Sequence, residues 1–295
     1  MNEAGGVLLH AASPVGADKL SPDQFYGVIK DILLGMGVEL GAQSKFPVVM
    51  CGMVGSRQGW VEARYLPVPV HCEKIPEKSV PVETQDLDVY IMPGLCVMDE
   101  AAPDVMRGEE TQLLGFYRRS PDFSGVFCMP GTHSKWGRIN RGIVEVFQTA
   151  ITGELFSLLS RQSVIRHVIG DKLSFQPDHP AFRKGVLDGY HHPERLMFDL
   201  FPVRAGGLLF SRLGMEAAAR LSGLLVGGEL AAALRTYPAD VNIALIVTGK
   251  LSSLYMAAFA YIERKYAFFD ADELVQDGLK FSAAKIFKTE NGHVA

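Results

Sequence analysis

Residues 124–147 read Ser-Gly-Val-Phe-Cys-Met-Pro-Gly-Thr-His-Ser-Lys-Trp-Gly-Arg-Ile-Asn-Arg-Gly-Ile-Val-Glu-Val-Phe. An apolar run from Ser124 ends at Met129-Pro130-Gly131, a second runs from Lys135 to Ile139, and a third from Ile143 to Phe147. The triplet Asn140-Arg141-Gly142 between the last two is turn-forming, so three consecutive strands are expected. Downstream the period becomes helical over 152–161 and 215–234, where Ala, Leu and Gly dominate one face. The buried-type strand Asn-Ile-Ala-Leu-Ile-Val at 242–247 follows. A helix over 251–265, a strand over 266–270 and a last helix over 272–287 complete the chain.

The order β-β-β-α-β-α-β-α is that of the ribonuclease-H-like unit, two facing copies of which, with a nucleotide between them, build actin, hexokinase and the sugar kinases. An upstream copy is traced by a strand at Val7–Ala12, a helix from Ser21-Pro22-Asp23 through Gly35, and strands at Phe46–Cys51 and Val89–Met92. The expectation is therefore an α/β chain of two ribonuclease-H-like lobes, the actin-like ATPase fold. Residues 1–100 would form the N-terminal lobe and 101–295 the C-terminal lobe. The two strands that should precede Val7 have no counterpart, so the N-terminal lobe is expected to lack its first β-hairpin and to leave a sheet edge open. Glu73–Asp88, rich in Pro, Glu and Lys, reads as a surface loop.

Composition limits the function classes. With 295 residues, 48% hydrophobic and 21% charged, the chain is an ordinary globular protein long enough for two cores. Lys+Arg 29 against Asp+Glu 33 leaves a formal net charge of -4, which gives no general attraction to nucleic acid or to an anionic membrane. Cys51, Cys72, Cys96 and Cys128 are far apart, without CxxC or zinc spacing, and read as reduced thiols. No basic-apolar leader and no run of about 18 apolar residues is present, so a cytoplasmic enzyme is expected.

Four clusters carry candidate chemistry. Met106-Arg107-Gly108-Glu109-Glu110-Thr111-Gln112 opens an expected helix over 109–119, where two carboxylates suit the positive helix end; an ordinary capped helix start is the alternative. Gly131-Thr132-His133-Ser134-Lys135, between the first two strands, offers backbone N–H groups and hydroxyls to phosphates. In that turn His133 and Lys135 supply positive charge, unless Lys135 is a solvated strand residue. Gly52-Met53-Val54-Gly55-Ser56-Arg57-Gln58-Gly59-Trp60 follows a strand end, where open α/β sheets bind ligands. There Arg57 offers a fork for a carboxylate, Ser56 and Gln58 can bind hydroxyls, and Trp60 can wall a sugar face. Thr248-Gly249-Lys250 is a strand-to-helix turn whose glycine allows close approach of an adenosine. The small residues of Ser222–Glu229 read as helix packing.

In their order and spacing GMVGSRQGW, IMPGLC, VMRGEETQLLG, MPGTHSKW, TAITGEL and LSGLLVGGEL resemble the 2-keto-3-deoxy-galactonokinase family over nearly the whole chain. The resemblance implies transfer of the γ-phosphate of ATP, with Mg²⁺, to the terminal hydroxyl of 2-keto-3-deoxy-galactonate. It implies Glu109 as catalytic base with Glu110 as the alternative. Gly55, Ser56, Arg57, Gln58, Trp60 and Arg107 would hold the sugar acid. Gly131 to Lys135 would hold the ATP phosphates, and Gly249 and Lys250 the adenosine. Metal ligands are not assigned, and a homodimer is left open. The family's opening D-x-G-(S/T)-(S/T)-x-x-R turn has no match, which lowers the expected activity, and Lys250 stands where the family has Ser or Thr, which bears on nucleotide affinity. A sugar-acid-binding relic without turnover and a kinase for another hexonate are the competing expectations.

Overall fold

A computed structural model describes residues 6–41, 45–171 and 173–290. In chain order the elements begin with α1 (Phe25–Gly35), β1 (Phe46–Met50), β2 (Leu66–Pro67), β3 (Val70–His71), β4 (Val80–Glu83), β5 (Leu87–Ile91), β6 (Leu95–Val97), β7 (Asp104–Met106) and α2 (Glu109–Arg119). The three expected consecutive strands are β8 (Ser124–Met129), β9 (Ser134–Asn140) and β10 (Ile143–Ala150). After them come α3 (Thr152–Arg161), α4 (Arg166–Ile169), α5 (Pro180–His191), α6 (Leu196–Phe210), α7 (Met215–Arg235), β11 (Ile243–Val247), α8 (Lys250–Tyr261), β12 (Ala267–Asp270) and α9 (Ala271–Glu290). The chain is α/β with mixed parallel and antiparallel sheets.

Packing groups residues 1–123, 139–146 and 271–295 into a first compact unit, and 124–138 and 147–270 into a second. Residues 101–123 and the C-terminal helix thus pack with the N-terminal part, whereas the sequence reading placed them with the second lobe. The reason is a helix crossing. Gly278 of α9 faces the backbone of Thr111 and Gly115 of α2 faces that of Leu274, so closely that a Cβ at either would overlap a carbonyl oxygen.

In the first unit β1 pairs parallel with β5, and β4 pairs antiparallel on the other side of β5. Leu87, Val89 and Ile91 alternate into a core with Phe25, Val54 and Ala63. A second small sheet, β2-β6-β7, lies in the same unit, and residues 143–144 of β10 pair antiparallel with β3. The strand expected at Val7–Ala12 is not formed. Residues 7–12 have no regular structure and leave Val7, Leu8 and Leu9 exposed, because no described strand pairs with them. The expected surface loop Glu73–Asp88 is instead two 3-10 turns and β4, anchored by buried Ile75 and Pro76.

In the second unit the strands lie in the order β12-β11-β8-β9-β10, with β11 parallel to both neighbours. β11 is buried at every position, as its unbroken apolar run requires for a central parallel strand. No element is expected from the sequence where α4, α5 and α6 form: α4 is only four residues long, and α6 is apolar nearly all round with Pro202 inside it. Helix α7 is long and apolar enough by composition to cross a membrane, but 15 of its residues are buried in the core of this unit. Its small residues do what the sequence suggested. Gly223 meets the backbone of Phe182 and Gly185, and Gly227 that of Val186, so α5 and α7 cross almost backbone to backbone.

Candidate active site

The acidic cluster of the first unit is built on a glycine turn. Gly108 has φ 107° and ψ -42°, a conformation that side chains resist, and it turns the chain from β7 into α2. Two successive amides then point at two successive carboxylates. The N–H of Arg107 donates to Oε2 of Glu109 at 3.0 Å, and the N–H of Gly108 donates to Oε2 of Glu110 at 2.6 Å. The hydroxyl of Thr111 donates to Oε1 of Glu110 at 2.9 Å. Acidic groups at these amides satisfy helix-end donors and complement the helix dipole.

The two carboxylates differ in setting. Glu109 is half-buried, whereas Glu110 is fully enclosed. Burial, with the charge of Glu109 beside it, pushes the Glu110 carboxyl up to about 8, against the pull of the Gly108 amide and the Thr111 hydroxyl. Glu110 is therefore largely neutral near pH 7. Cys51, at the end of β1, lies near the same carboxyl, and burial pushes its thiol up to about 12. It is an inert wall there, not a nucleophile.

The 52–60 loop meets this turn. A Cβ at Gly108 would sit 3.5 Å from Cα of Gly52, and one at Gly55 would sit 2.9 Å from Nη1 of Arg107. The absent side chain at Gly55 is what admits the Arg107 guanidinium. That group donates from Nη2 to the carbonyl of Ala63 at 2.6 Å and lies 4.4 Å over the Tyr65 ring. Its Nε and Nη1 are buried with no acceptor among the described residues. Ser56 is buried, while Arg57 and Gln58 are exposed. Trp60 is half-buried and stacks at 6.1 Å on Phe25 within the core, so its sequence signal reflected packing as well as surface.

In the second unit, Gly131–Ser134 links β8 to β9. Thr132 and His133 are exposed, and a Cβ at Gly131 would meet nothing nearer than 3.7 Å, which leaves room at the backbone. Helix α3 starts against this turn. The N–H of Glu154 donates to the carbonyl of Thr132 at 3.0 Å, and a Cβ at Gly153 would fall 2.5 Å from the carbonyl oxygen of Gly131. His133 Nε2 and Glu154 Oε2 are 2.7 Å apart. Lys135 is not the solvated strand residue weighed above. It is buried, and its Nζ donates to Oγ1 of Thr149 at 2.8 Å. Thr149 and Glu154 both lie in the TAITGEL motif, but the sequence assigns no role to either, because each acts only through the neighbour the fold supplies.

The Thr248-Gly249-Lys250 turn lies at the end of β11. Gly249, with φ 65° and ψ -144°, precedes α8, and no atom lies within 4 Å of where its Cβ would be. Oγ1 of Thr248 is 3.3 Å from Oδ2 of Asp270 on β12. Gly249 and Lys250 are both exposed.

Comparisons with known proteins agree in one direction. The family model described as 2-keto-3-deoxy-galactonokinase matches residues 1–281. A curated relative from Rhizobium meliloti (strain 1021), named Probable 2-dehydro-3-deoxygalactonokinase DgoK1, is 37% identical over 97% of this chain and 92% of its own length. The 2-dehydro-3-deoxygalactonokinase of Escherichia coli (strain K12) is 39% identical over 74% of this chain and 71% of its own. A crystal structure from Sinorhizobium meliloti, described under the same enzyme name, superposes with a TM-score of 0.92 at 36% identity, covering 97% of this chain and 94% of that one. A match that spans the acidic turn, the Gly131 turn and the Gly249 turn together places the chain in the 2-keto-3-deoxy-galactonokinase family.

Proposed function

We propose that the protein transfers the γ-phosphoryl group of ATP to the terminal hydroxyl of 2-keto-3-deoxy-galactonate. The observation that carries this reading is the paired acidic turn, in which one carboxylate is enclosed and neutral and its neighbour is half-open and fixed by a backbone amide. A general base must be reachable from the acceptor hydroxyl, and half-buried Glu109 meets that demand where enclosed, largely neutral Glu110 does not. Glu109 takes the proton of the attacking hydroxyl. Glu110 holds the Gly108 turn that aims it.

The sugar acid is read as lying against the 52–60 loop. Arg57 and Gln58 are exposed for contact, and the unpaired N–H groups of Arg107 favour a carboxylate at this end of the loop. The Gly131–Lys135 turn is read as the phosphate cradle, with Lys135 as a fixed positive charge and His133 held by Glu154. The open backbone at Gly131 and Gly249 fits a nucleotide, since a side chain at either would fill the space. ATP supplies the phosphoryl group, and positioning by this chain's residues accounts for most of the rate in such transfers. No group of three or more His, Cys, Asp or Glu suited to a metal occurs among the described residues. Mg²⁺ is read as arriving on the ATP phosphates, a mode that needs only one or two protein carboxylates.

The strand order β12-β11-β8-β9-β10 supports reading the second unit as a ribonuclease-H-like lobe, and hence the fold as actin-like. Four unpaired cysteines support a cytoplasmic setting. The test is ADP release from ATP with 2-keto-3-deoxy-galactonate as acceptor, with other hexonates run beside it. Turnover that requires this acceptor is expected. Binding of the sugar acid without ADP release would overturn the reading.

A further inference from the structure

The second unit contains a buried carboxylate that the reaction above does not use. Glu229, on the apolar helix α7, is 7% exposed. Trp136 Nε1–H donates to its Oε1 at 2.8 Å, the Tyr255 hydroxyl donates to its Oε2 at 2.8 Å, and the Thr152 and Ser134 side chains bond it as well. Because Tyr255 gives its proton to Glu229, its oxygen is left to accept from Ser134 Oγ, 3.3 Å away. Ser134 Oγ in turn accepts from the N–H of Gly131 at 3.5 Å. Ser134, Trp136 and Tyr255 are all at most 2% exposed. One carboxylate thus ties α7 to α8, to β9 and to the first residue of α3, and the chain of bonds ends on the backbone of the Gly131 turn.

An enclosed carboxylate with donors but no cation is expensive to keep, and an apolar residue in an Ala/Leu/Gly helix would pack there at less cost. What an apolar residue could not do is fix the hydroxyls of Tyr255 and Ser134 in one orientation. We propose that Glu229 is a positioning residue for nucleotide binding, holding Ser134 and with it the Gly131–Lys135 turn in the shape that receives the ATP phosphates. This rests on reading that turn as the phosphate cradle.

Calorimetry on the full chain tests it through the ratio of two affinities. Glu229→Gln keeps the shape but turns one acceptor oxygen into a donor that faces Trp136 or Tyr255. The dissociation constant for ATP should rise about tenfold, the size of losing one bond to a charged group, while that for 2-keto-3-deoxy-galactonate stays within about twofold. Tyr255→Phe removes the hydroxyl that joins Oε2 of Glu229 to Ser134 while leaving the carboxylate itself in place. It should weaken ATP in the same direction, which keeps the test open if the Gln variant does not fold. Thr132→Val, in the turn itself, separates the two ideas. If Thr132→Val weakens ATP but neither Glu229→Gln nor Tyr255→Phe does, Glu229 is only a core group and the inference is overturned. If none of the three weakens ATP, the phosphate-cradle reading fails first and takes the inference with it. Equal weakening of both ligands in the Glu229 and Tyr255 variants also overturns it, because a loosened fold does not discriminate.

Discussion

Oε2 of Glu110 accepts the backbone N–H of Gly108 at 2.6 Å, so the glycine that turns the chain into α2 is pinned by a side chain two residues ahead of it. The residue between them, Glu109, is held in the same manner by the Arg107 amide but stays half-open. One turn therefore separates a structural acid from a candidate base.

Isosteric substitution tells the two acids apart. Glu109→Gln is expected to lower kcat by about 10²- to 10⁴-fold, the usual contribution of a general base, with little change in melting temperature. Glu110→Gln, which removes no proton acceptor from the substrate side, is expected to stay within about tenfold of the parent, because a neutral group already stands there. Steady-state kinetics on both variants check this, and a larger loss in Glu110→Gln would reverse the assignment.

The Glu110 carboxyl also sets a pH dependence of stability. Its folded pKa of about 8 lies above the ordinary value of 4.5, so the folded state binds the proton more tightly than the unfolded one. Its contribution is full below about pH 4.5 and is lost as pH rises toward 8 and beyond. Thermal melts of the parent and Glu110→Gln should run close together at acidic pH. They should diverge in favour of the variant as pH rises from about 4.5 to about 8 and then level off, the amide being unable to ionise. Parallel melting curves from acid to alkali would contradict the enclosed, neutral carboxyl.

Much of this fold is legible in the sequence because its strands and helices repeat with clear periods. The span Thr152–Arg161 is helical as expected, and β8, β9, β10, β11 and β12 lie within a few residues of their expected places. Asn140-Arg141-Gly142 makes its turn with positive φ at both Arg141 and Gly142, which is why such residues signal hairpins. What the sequence hides is decided by neighbours far along the chain. Trp60 reads as a ligand wall but stacks on Phe25, and Lys135, which the sequence leaves between a phosphate-facing cation and a solvated strand residue, is buried and reaches Thr149. Glu229 lay inside a segment read only as packing. An acid at a buried helical position is the one signal that could have exposed it, and that burial appears only once α3, α8 and β9 close around it.

The α2–α9 crossing predicts a sharp cost for one methyl group. At Gly278 a Cβ would overlap the carbonyl oxygen of Thr111 and lie 2.9 Å from its Cγ2, on the helix that carries Glu109 and Glu110. Backbone cannot yield there as a flexible side chain could. Gly278→Ala is expected to destabilise by about 1–3 kcal/mol, the usual range for overpacking. Chemical denaturation measures it. An unchanged midpoint would mean the two helices are free to separate.

At Gly249 the same substitution has a different physical meaning. No atom lies within 4 Å of its missing Cβ, so Gly249→Ala makes no clash, and any effect comes from a backbone at φ 65° and ψ -144° that only glycine adopts readily. Holding alanine there costs about 1–3 kcal/mol of strain. The chain can relieve it by rotating the turn between β11 and α8, which would move the amides that the proposed function turns toward the nucleotide. A modest fall in stability together with weaker ATP binding and unchanged sugar-acid binding is the expected result, read by denaturation and calorimetry on one preparation. A fall in stability alone would mean that the open space at Gly249 serves the turn and not the adenosine.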